Sequence, residues 1–261
     1  MKDDDQGEGF ISRGKGGNLY RINLDSTQLT LIRGGRRIRY YTFSPDYQKI
    51  FVLEDSTVKI INLEGMMIDS LPIIVKPNGY HAYGGFDISS NGEGLYYQNV
   101  DKYYKFNLRT QENIFLFQYE AHAFEFDLSP DDSLLLIGKR YVGNNKDHFI
   151  LCNLRNCTIY EIELPADYFP ATSCFSPSSS NYIIFPMKGK NSESYNDLAL
   201  FNVSTKNIQL VQATITNRLS VLLYPSFSRD AKKIIFSGSS VRHKIYFELW
   251  ILNNVKIGEE K

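Results

Sequence analysis

The sequence predicts an all-β fold assembled from about six similar antiparallel units. Three features predict it: an Asn motif that recurs at strand ends, a polar turn that recurs before apolar strands, and a high content of aromatic residues. Aromatic residues make up 14% of the 261-residue chain, and Tyr and Phe account for all of them except a single Trp. Such residues suit strands that pack face to face.

The Asn motif marks the end of one strand in each unit. An apolar residue is followed by Asn, and then usually by Leu or Val. Six residues fit the motif: Asn23, Asn62, Asn107, Asn153, Asn202 and Asn253. Their spacing of roughly 40 to 50 residues is the period of four-stranded propeller blades. We expect each side chain to close a turn by accepting a backbone N–H about two residues on, and not to bind a ligand.

The polar turn forms a second column in register with the first. Five apolar residues each stand before such a turn: Phe43, Ile88, Leu128, Phe175 and Phe227. In turns such as Ser-Pro-Asp, Pro fixes φ, and the following Asp or Asn bonds back to the backbone. An apolar run follows each turn, as in residues 50–53. The two columns predict a β-propeller of about six blades, with the first and last blades incomplete and the apolar column buried between blades.

These patterns resemble the TolB-like branch of the WD-repeat-like β-propellers. The likeness rests on turns such as Phe43-Ser44-Pro45-Asp46 and on strand endings such as Leu-Trp-Ile-Leu-Asn at 249–253. The family's usual Asp at the strand end is Asn in all six units, and the Gly common after the turn Asp is missing from most of them. Asn makes the same turn, so the resemblance still implies the fold. Propellers of this kind serve interaction proteins, envelope proteins, peptidase-associated domains and some lyases.

We predict that residues 1–261 form a single propeller domain. The first residues, MKDDDQGEGF, are acidic and lack an apolar signal core. Met1 falls where the innermost strand of a first blade should already have formed. Residues 1–9 are therefore expected to be disordered or the remnant of a truncated first blade, and cytoplasmic, periplasmic and cell-envelope locations all stay open.

Composition excludes several classes of protein. Lys plus Arg and Asp plus Glu both total 29, so the excess positive charge on which general nucleic-acid binding depends is missing. No apolar run approaches the about 18 residues of a transmembrane segment. Three cysteines do not make a disulfide framework. Cys152 and Cys174 are expected to be structural, and a bridge between Cys152 and Cys157 across a hairpin stays open.

Candidate binding residues come from the loops that lead into the innermost strands. In a propeller these loops surround one end of the central channel, here called the loop mouth. The predicted binding residues are Arg36, Arg37, Arg39, His81, Tyr83, His122, Tyr168 and Arg218. Arg and Tyr often carry interface hot spots. The opposite end, here called the turn mouth, carries the Ser-Pro-Asp turns and is expected to be more acidic and less specific.

Two features of these loops have alternative interpretations. The basic cluster at residues 33–39 could bind a phosphate, sulfate or carboxylate, or could be a solvated loop whose arginines pair with nearby acids. His81 and His122, with a carboxylate such as Glu120, could bind a metal ion, although ordinary polar side chains at the mouth are favoured and no metal is predicted. Asp87 and Asp127 recur one place before the apolar column, which indicates a structural bond to a neighbouring blade.

The sequence favours a non-enzymatic scaffold that binds a partner protein through the loops at one channel mouth. Motifs for a hydrolase nucleophile, a zinc protease, a dinucleotide or a phosphate loop are missing, so no catalytic residue or cofactor is predicted. The alternative is a channel-mouth enzyme or receptor for an anionic ligand, such as a uronate-containing oligosaccharide cleaved by a lyase-like reaction. The resemblance implies that possibility, because some relatives place metal-binding histidines at this mouth.

Overall fold

The computed structural model describes residues 2–3, 8–13, 18–23, 28–34, 38–76, 85–119, 123–140, 147–163, 173–188, 195–211, 219–228, 230–240 and 247–252. Every regular element in these residues is a β-strand, so the predicted all-β fold is confirmed. Helices with the length and apolar character needed to cross a membrane are not found in this part of the chain.

Strands that follow one another in the chain pair antiparallel and make three sheets from the first half of the described residues. Sheet 1 contains β1 (Lys2–Asp3), β2 (Glu8–Arg13), β3 (Asn18–Asn23) and β4 (Leu29–Arg33). Sheet 2 contains β5 (Ile38–Phe43), β6 (Lys49–Glu54), β7 (Thr57–Asn62) and β8 (Met67–Ile74). Sheet 3 contains β9 (Phe86–Ile88), β10 (Gly94–Asn99), β11 (Lys102–Asn107) and β12 (Asn113–Gln118).

The second half of the described residues makes three more sheets in the same way. Sheet 4 contains β13 (Ala123–Leu128), β14 (Leu134–Arg140), β15 (Asp147–Asn153) and β16 (Thr158–Glu163). Sheet 5 contains β17 (Cys174–Ser176), β18 (Ser179–Lys188), β19 (Tyr195–Asn202) and β20 (Ile208–Leu210). Sheet 6 contains β21 (Leu219–Phe227), β22 (Ile234–Ser240) and β23 (Phe247–Leu252).

The first strand of each sheet lies on the inside of a ring. Contacts run from β5 to β9, from β9 to β13, from β13 to β17 and from β17 to β21. The ring closes where β21 contacts β1 and where β2 contacts β5. The first sheet has a two-residue innermost strand, and the last has three strands in its described part. Both features agree with the prediction of incomplete first and last blades.

The two sequence columns lie in one row across each sheet, on the first and third strands, with one residue of the second strand between them. In sheet 2, Phe43 pairs with Ile50 and Ile50 pairs with Ile61. The corresponding pairs recur in sheets 3, 4, 5 and 6, as in Leu128 with Leu135 and Leu135 with Cys152. All five residues of the column that begins at Phe43 are buried. The predicted burial of this column is confirmed.

In the described residues, each of sheets 2 to 5 is packed between two neighbours and contributes buried side chains on both faces. Ile50 and Val52 of β6 join a cluster with Leu19 of sheet 1. The alternate residues Phe51 and Leu53 join a cluster with sheet 3. Since successive side chains of a strand point to opposite faces, a strand packed on both sides needs a continuous apolar run. This packing explains why the strands read as unbroken apolar segments.

The repeated Asn position closes equivalent turns wherever its side chain is described. Oδ1 of Asn107 accepts the N–H of Arg109 at 2.9 Å, and Oδ1 of Asn153 accepts the N–H of Arg155 at 2.9 Å. Asn62 makes the same bond two residues on, and Asn202 makes it three residues on. The predicted turn role is confirmed for these four residues. The side chains of Asn23 and Asn253 lie outside the described part of the structure.

A serine organises the turn that follows the innermost strand. Ser44 accepts the N–H of Lys49 on its Oγ at 2.9 Å and donates its hydroxyl to Oδ1 of Asp46 at 2.5 Å. Gln48 N–H also donates to Oδ1 of Asp46, at 3.0 Å, as predicted for the turn acid. The same pattern of serine and acid or amide recurs at Ser89, Ser129 and Ser228.

Sheet 5 departs from this pattern. There Ser176 pairs with Ser179 in a tighter hairpin, after a register shift between Phe175 and Ser176. The place of Asp46 is taken by Ser178, which exchanges a 3.0 Å hydrogen bond with the Ser176 hydroxyl.

The three cysteines are free. Cys152 is fully buried between sheets 3 and 4, and burial raises the pKa of its thiol to about 12. It is therefore the small buried hydrophobe that its column predicted. Cys157 is half-buried against the same apolar cluster, and the structure contains no bridge between the two.

Candidate functional site

The residues predicted for the loop mouth fall mostly beyond the described part of the chain. Arg39 is described: it is the second residue of β5 and is half-buried. The other seven lie outside the described residues: Arg36, Arg37, His81, Tyr83, His122, Tyr168 and Arg218. Glu120, the carboxylate considered with the two histidines, also lies outside them. The grouping of these side chains at one mouth therefore stays a prediction.

Arg33, the first arginine of the basic cluster, is a structural residue. Its Nε donates to Oε1 of the buried Glu54 in β6, and its Nη1 donates to the carbonyl of Gly65 at 3.2 Å. These bonds join the outermost strand of sheet 1 to β6 and to the turn between β7 and β8 of sheet 2. For Arg33, the interpretation that the cluster's arginines pair with nearby acids is confirmed.

Gly65 is pressed against the backbone of sheet 1 in the same place. Its φ is 84°, and a Cβ on it would lie 1.9 Å from the carbonyl oxygen of Ile32. Only glycine allows both the left-handed backbone and this close approach without displacement. The contact between sheets 1 and 2 therefore depends on a glycine as well as on an ion pair.

Tyr40 connects three innermost strands. It projects from β5, and its hydroxyl donates to the carbonyl of Phe126 in β13 at 2.8 Å. On the way its ring packs edge-on against Phe86 of β9, with 5.4 Å between ring centroids. Because β9 lies between β5 and β13, the Tyr40 side chain ties sheets 2, 3 and 4 together. This role cannot be predicted from the sequence, since no repeated position indicates it.

The turn mouth contains a cavity of about 460 Å³. It is lined by the ends of the innermost strands of sheets 2 to 6 and by the turns that follow several of them. Pro45, Pro130 and Pro177 contribute apolar walls. Asp87 and Asp127 contribute carboxylates. The candidate site that the structure describes is thus at the mouth opposite to the one that the sequence favoured.

Asp87 is the centre of the polar network in the cavity wall. Its Oδ1 accepts the Thr42 hydroxyl of β5 at 2.8 Å and the N–H of Ile88 at 2.9 Å. Its Oδ2 accepts the N–H of Leu128 in β13 at 3.1 Å. Acceptance by both oxygens is the pattern of an ionised carboxylate. The predicted structural bond to a neighbouring blade is confirmed, and it extends to the sheets on both sides.

The equivalent position makes similar bonds farther round the ring. Oδ2 of Asp127 accepts the N–H of Phe175 in β17 at 2.6 Å. In sheet 5 the position is held by Cys174, whose Sγ donates to the carbonyl of Pro225 in β21 at 3.3 Å. Each innermost strand from β5 to β21 is thus bonded to the next through one side chain. Cys174 is structural, as predicted.

Acidic side chains in the turns at the edge of the cavity accept hydrogen bonds from neighbouring sheets. Asp132 of sheet 4 accepts the hydroxyl of Ser90 in sheet 3 at 2.8 Å. Asp131 accepts the hydroxyl of Ser180 in sheet 5 at 2.5 Å. Desolvation raises the pKa of the Asp131 carboxyl, but hydrogen bonds from Ser180, Ser133 and Ser129 outweigh it and hold that pKa well below its usual range.

The pKa of Asp46 is lowered in the same way, first by its hydrogen bond from Ser44. In the described part of the chain, no group of three or more His, Cys, Asp or Glu side chains is arranged to hold a metal ion. Asp46 and Asp131 are therefore held in the ionised form, and both accept hydrogen bonds from hydroxyl and backbone donors. The expectation that this mouth is the more acidic of the two stays a prediction, because most of the loop mouth lies outside the described residues.

Solved structures of other proteins share this architecture. No protein family profile and no curated protein sequence matches the chain. TolB from Acinetobacter baumannii is similar in structure, with a TM-score of 0.67, 15% identity, and coverage of 93% of this chain and 62% of TolB. An oligogalacturonate lyase in complex with manganese has a TM-score of 0.55, 13% identity, and coverage of 98% and 88%.

A chain of the mitotic checkpoint complex gives a TM-score of 0.60 at 16% identity, with coverage of 97% of this chain and 88% of the other. Ring closure of the sheets agrees with these likenesses. The fold is a TolB-like, WD-repeat-like β-propeller. At identities of 9–16%, the structural similarity to these proteins shows the fold of the chain and does not show its activity. The sheets are its blades, and the turn-mouth cavity lies at one end of its central channel.

Proposed function

We propose that this propeller is a non-enzymatic scaffold that binds a partner protein through the loops at one mouth of its channel. The residues assigned to the contact are those of the loop mouth: Arg36, Arg37, Arg39, His81, Tyr83, His122, Tyr168 and Arg218. The partner surface would be acidic, because arginines make bidentate hydrogen bonds with carboxylates.

The network around Asp87 and Asp127 carries the proposal. A catalytic acid and base need oxygens that can exchange protons with a substrate. Asp87 instead accepts hydrogen bonds from Thr42, Ile88 and Leu128. Asp127 accepts one from Phe175. These carboxylates fix the spacing of the innermost strands, which supports a rigid frame better than a reaction centre.

The loops at the loop mouth differ from blade to blade, while the frame repeats. The segments that lead into the innermost strands of blades 2 to 6 are residues 34–37, 75–85, 119–122, 164–173 and 211–218. Loops of unequal length on a rigid scaffold are a common way to build a specific contact surface. Arg39 is the second residue of the innermost strand that follows the first of these segments.

The test is a double replacement at the loop mouth, Arg37→Glu with His122→Ala, and capture of partners from cell extract. We expect capture to fall for the double variant, and the captured proteins to be identified by comparison with the parent. Replacement of Asp46 and Asp131 at the turn mouth is the matched control. Unchanged capture by the double variant, together with loss on altering the two turns, would place the working face at the other mouth.

A second candidate is a channel-mouth enzyme or receptor for an anionic ligand, such as a uronate-containing oligosaccharide. The fold likeness to an oligogalacturonate lyase solved with manganese supports it. His81 and His122 are the residues that would hold a metal ion in that case. Metal analysis of the purified protein separates the two candidates, because a stoichiometric bound metal favours the enzyme and a metal-free active binder favours the scaffold.

A further inference from the structure

We propose that Gln98 is a positioning residue for the loop mouth, because it fixes both ends of the connection that carries His81 and Tyr83. This role rests on the proposed function, which assigns those two residues to the partner contact. Gln98 itself is buried, so it acts through hydrogen bonds to the backbone and not by touching the partner.

Both ends of this connection, residues 77–84, are bonded to one short segment of blade 3. The N–H of Val100 donates to the carbonyl of Lys76 at 2.8 Å, and the N–H of Gln98 donates to the carbonyl of Gly85 at 3.2 Å. The two donors are two residues apart, which is at most about 7 Å along an extended chain. The end of β10 therefore sets the distance between the points where the connection leaves blade 2 and enters blade 3.

The turn after β10 lies at the loop-mouth end of blade 3, because β10 runs antiparallel to β9. Its two-residue loop is Val100-Asp101, enclosed by the pair Asn99 and Lys102. Val100 has φ 60°, a left-handed conformation that β-branched residues rarely adopt. The equivalent loop of blade 2 has Asp55 with φ 55°, and Asp tolerates this backbone. Val100 therefore needs support from its surroundings to keep the turn.

The Gln98 side chain supplies that support from inside the blade. Its Nε2 donates to the carbonyl of Val100 at 2.7 Å. Its cross-strand partner is Tyr103, whose ring is stacked on Phe117 with 4.6 Å between the ring centroids. Gln98 and Tyr103 are both fully buried, which restricts the rotation of the amide. Gln98 thus holds Gly85 through its own N–H and holds the turn that bonds to Lys76 through its side chain.

The buried amide carries a stability penalty. Oε1 of Gln98 is buried and accepts no hydrogen bond from the described residues. A buried polar atom without a partner is unfavourable, and an apolar side chain of similar length, such as methionine, avoids this penalty. Residues that break such local rules are concentrated at functional positions. The unpaired oxygen of Gln98 and the strained backbone of Val100 together favour a positioning role over a purely structural one.

The first test needs no partner. Gln98→Met removes the bond to Val100 and the unpaired oxygen together, so the melting temperature should stay within about 3 °C of the parent. The chain has four histidines, and NMR follows the imidazole signal of each. We expect the His81 signal to shift in Gln98→Met, while that of His243, between β22 and β23 in the chain, does not. Adding Val100→Asn should restore the His81 signal, because Asn tolerates the left-handed turn.

The second test is the Kd of the partner captured by the parent chain. We expect at least about fivefold weaker binding for Gln98→Met, and binding within about twofold of the parent once Val100→Asn is added. The matched control is Gln118→Met. Gln118 is exposed, and its Nε2 donates to the Asp101 side chain of the same turn, so its replacement should leave both the Kd and the His81 signal unchanged.

The two tests fail in different ways. An unchanged His81 signal in Gln98→Met, parent-like binding by that variant, or a loss of binding that Val100→Asn does not restore would overturn the positioning role. A melting temperature lowered far beyond 3 °C without a change at His81 would also overturn it, since the bond would then be only structural. If the His81 signal shifts as expected but the parent captures no partner through the loop mouth, the proposed function fails and the positioning of the connection by Gln98 stands.

Discussion

The Thr42 hydroxyl donates to Oδ1 of Asp87 at 2.8 Å across the boundary between blades 2 and 3. The other oxygen of the same carboxylate accepts the N–H of Leu128 in blade 4. Asp87 and Thr42 are both buried, at 7% and 1% of their accessible surface. One side chain therefore spaces three innermost strands, and the width of the channel there depends on it.

Replacement of this carboxylate should destabilise the ring. Asp87→Ala leaves the Thr42 hydroxyl and the Leu128 N–H buried without this acceptor, at a cost of about 2–3 kcal/mol in the free energy of unfolding. Denaturant unfolding of the parent and the variant measures the change. The control is Asp69→Ala at an exposed position of β8, where about 0.5 kcal/mol or less is expected. Equal losses for the two variants would show that Asp87 does not tie the blades.

Gly65 and Gly92 offer a matched pair for the contact between blades 1 and 2. Both have positive φ, at 84° and 73°, so alanine costs about 1–2 kcal/mol at either position through its backbone alone. A Cβ on Gly92 would lie 3.6 Å from Pro45, an ordinary contact, whereas one on Gly65 would strike the Ile32 carbonyl.

We therefore expect Gly65→Ala to lower the free energy of unfolding by at least about 1 kcal/mol more than Gly92→Ala does. Thermal and denaturant unfolding of both variants give the comparison. Similar losses would mean that the turn moves away from Ile32 at no cost, and that the close approach is not needed for the packing of blades 1 and 2.

The hydrogen bond from Ser180 to Asp131 predicts that the stability of the chain depends on pH. The pKa of Asp131 is lower in the folded chain than its usual value, so the unfolded chain binds a proton more readily. The stabilisation is therefore complete above the unfolded pKa of about 4 and is lost as the pH falls below it. Asp131→Asn should show a smaller drop in unfolding free energy between pH 6 and pH 3 than the parent. An unchanged drop would contradict the assignment.

Much of the fold could be predicted from the sequence because the same residues recur in each blade. Asn62 and Asn107 could be assigned to equivalent turns because the same residue recurs at one period, and Asp87 and Asp127 could be assigned to inter-blade bonds for the same reason. The contact from Tyr40 to Phe126 could not be found, since it joins residues in blades 2 and 4 and occurs once. The two residues come together only when the ring of blades has closed.

The candidate site was predicted less well, for a related physical reason. A cavity at the turn mouth arises from the radius of the ring and from the side chains that remain inside it, such as Asp87 and Pro130. Neither quantity follows from local propensity or spacing. The residues of the loop mouth differ between blades, so no repeat indicates their arrangement, and Arg39 is the member of the predicted set that the structure describes.

Arg39 therefore provides the most direct test of the scaffold at the loop mouth. The measurement is the Kd of the captured partner for the parent chain, for Arg39→Glu and for Arg109→Glu, a control at an exposed turn of blade 3. At least tenfold weaker binding, about 1.4 kcal/mol, is expected for Arg39→Glu, and a change of less than about twofold for Arg109→Glu. Parent-like binding by Arg39→Glu, with binding lost when the turns of Asp46 and Asp131 are altered, would place the partner at the turn mouth and contradict a scaffold that works through the loop mouth.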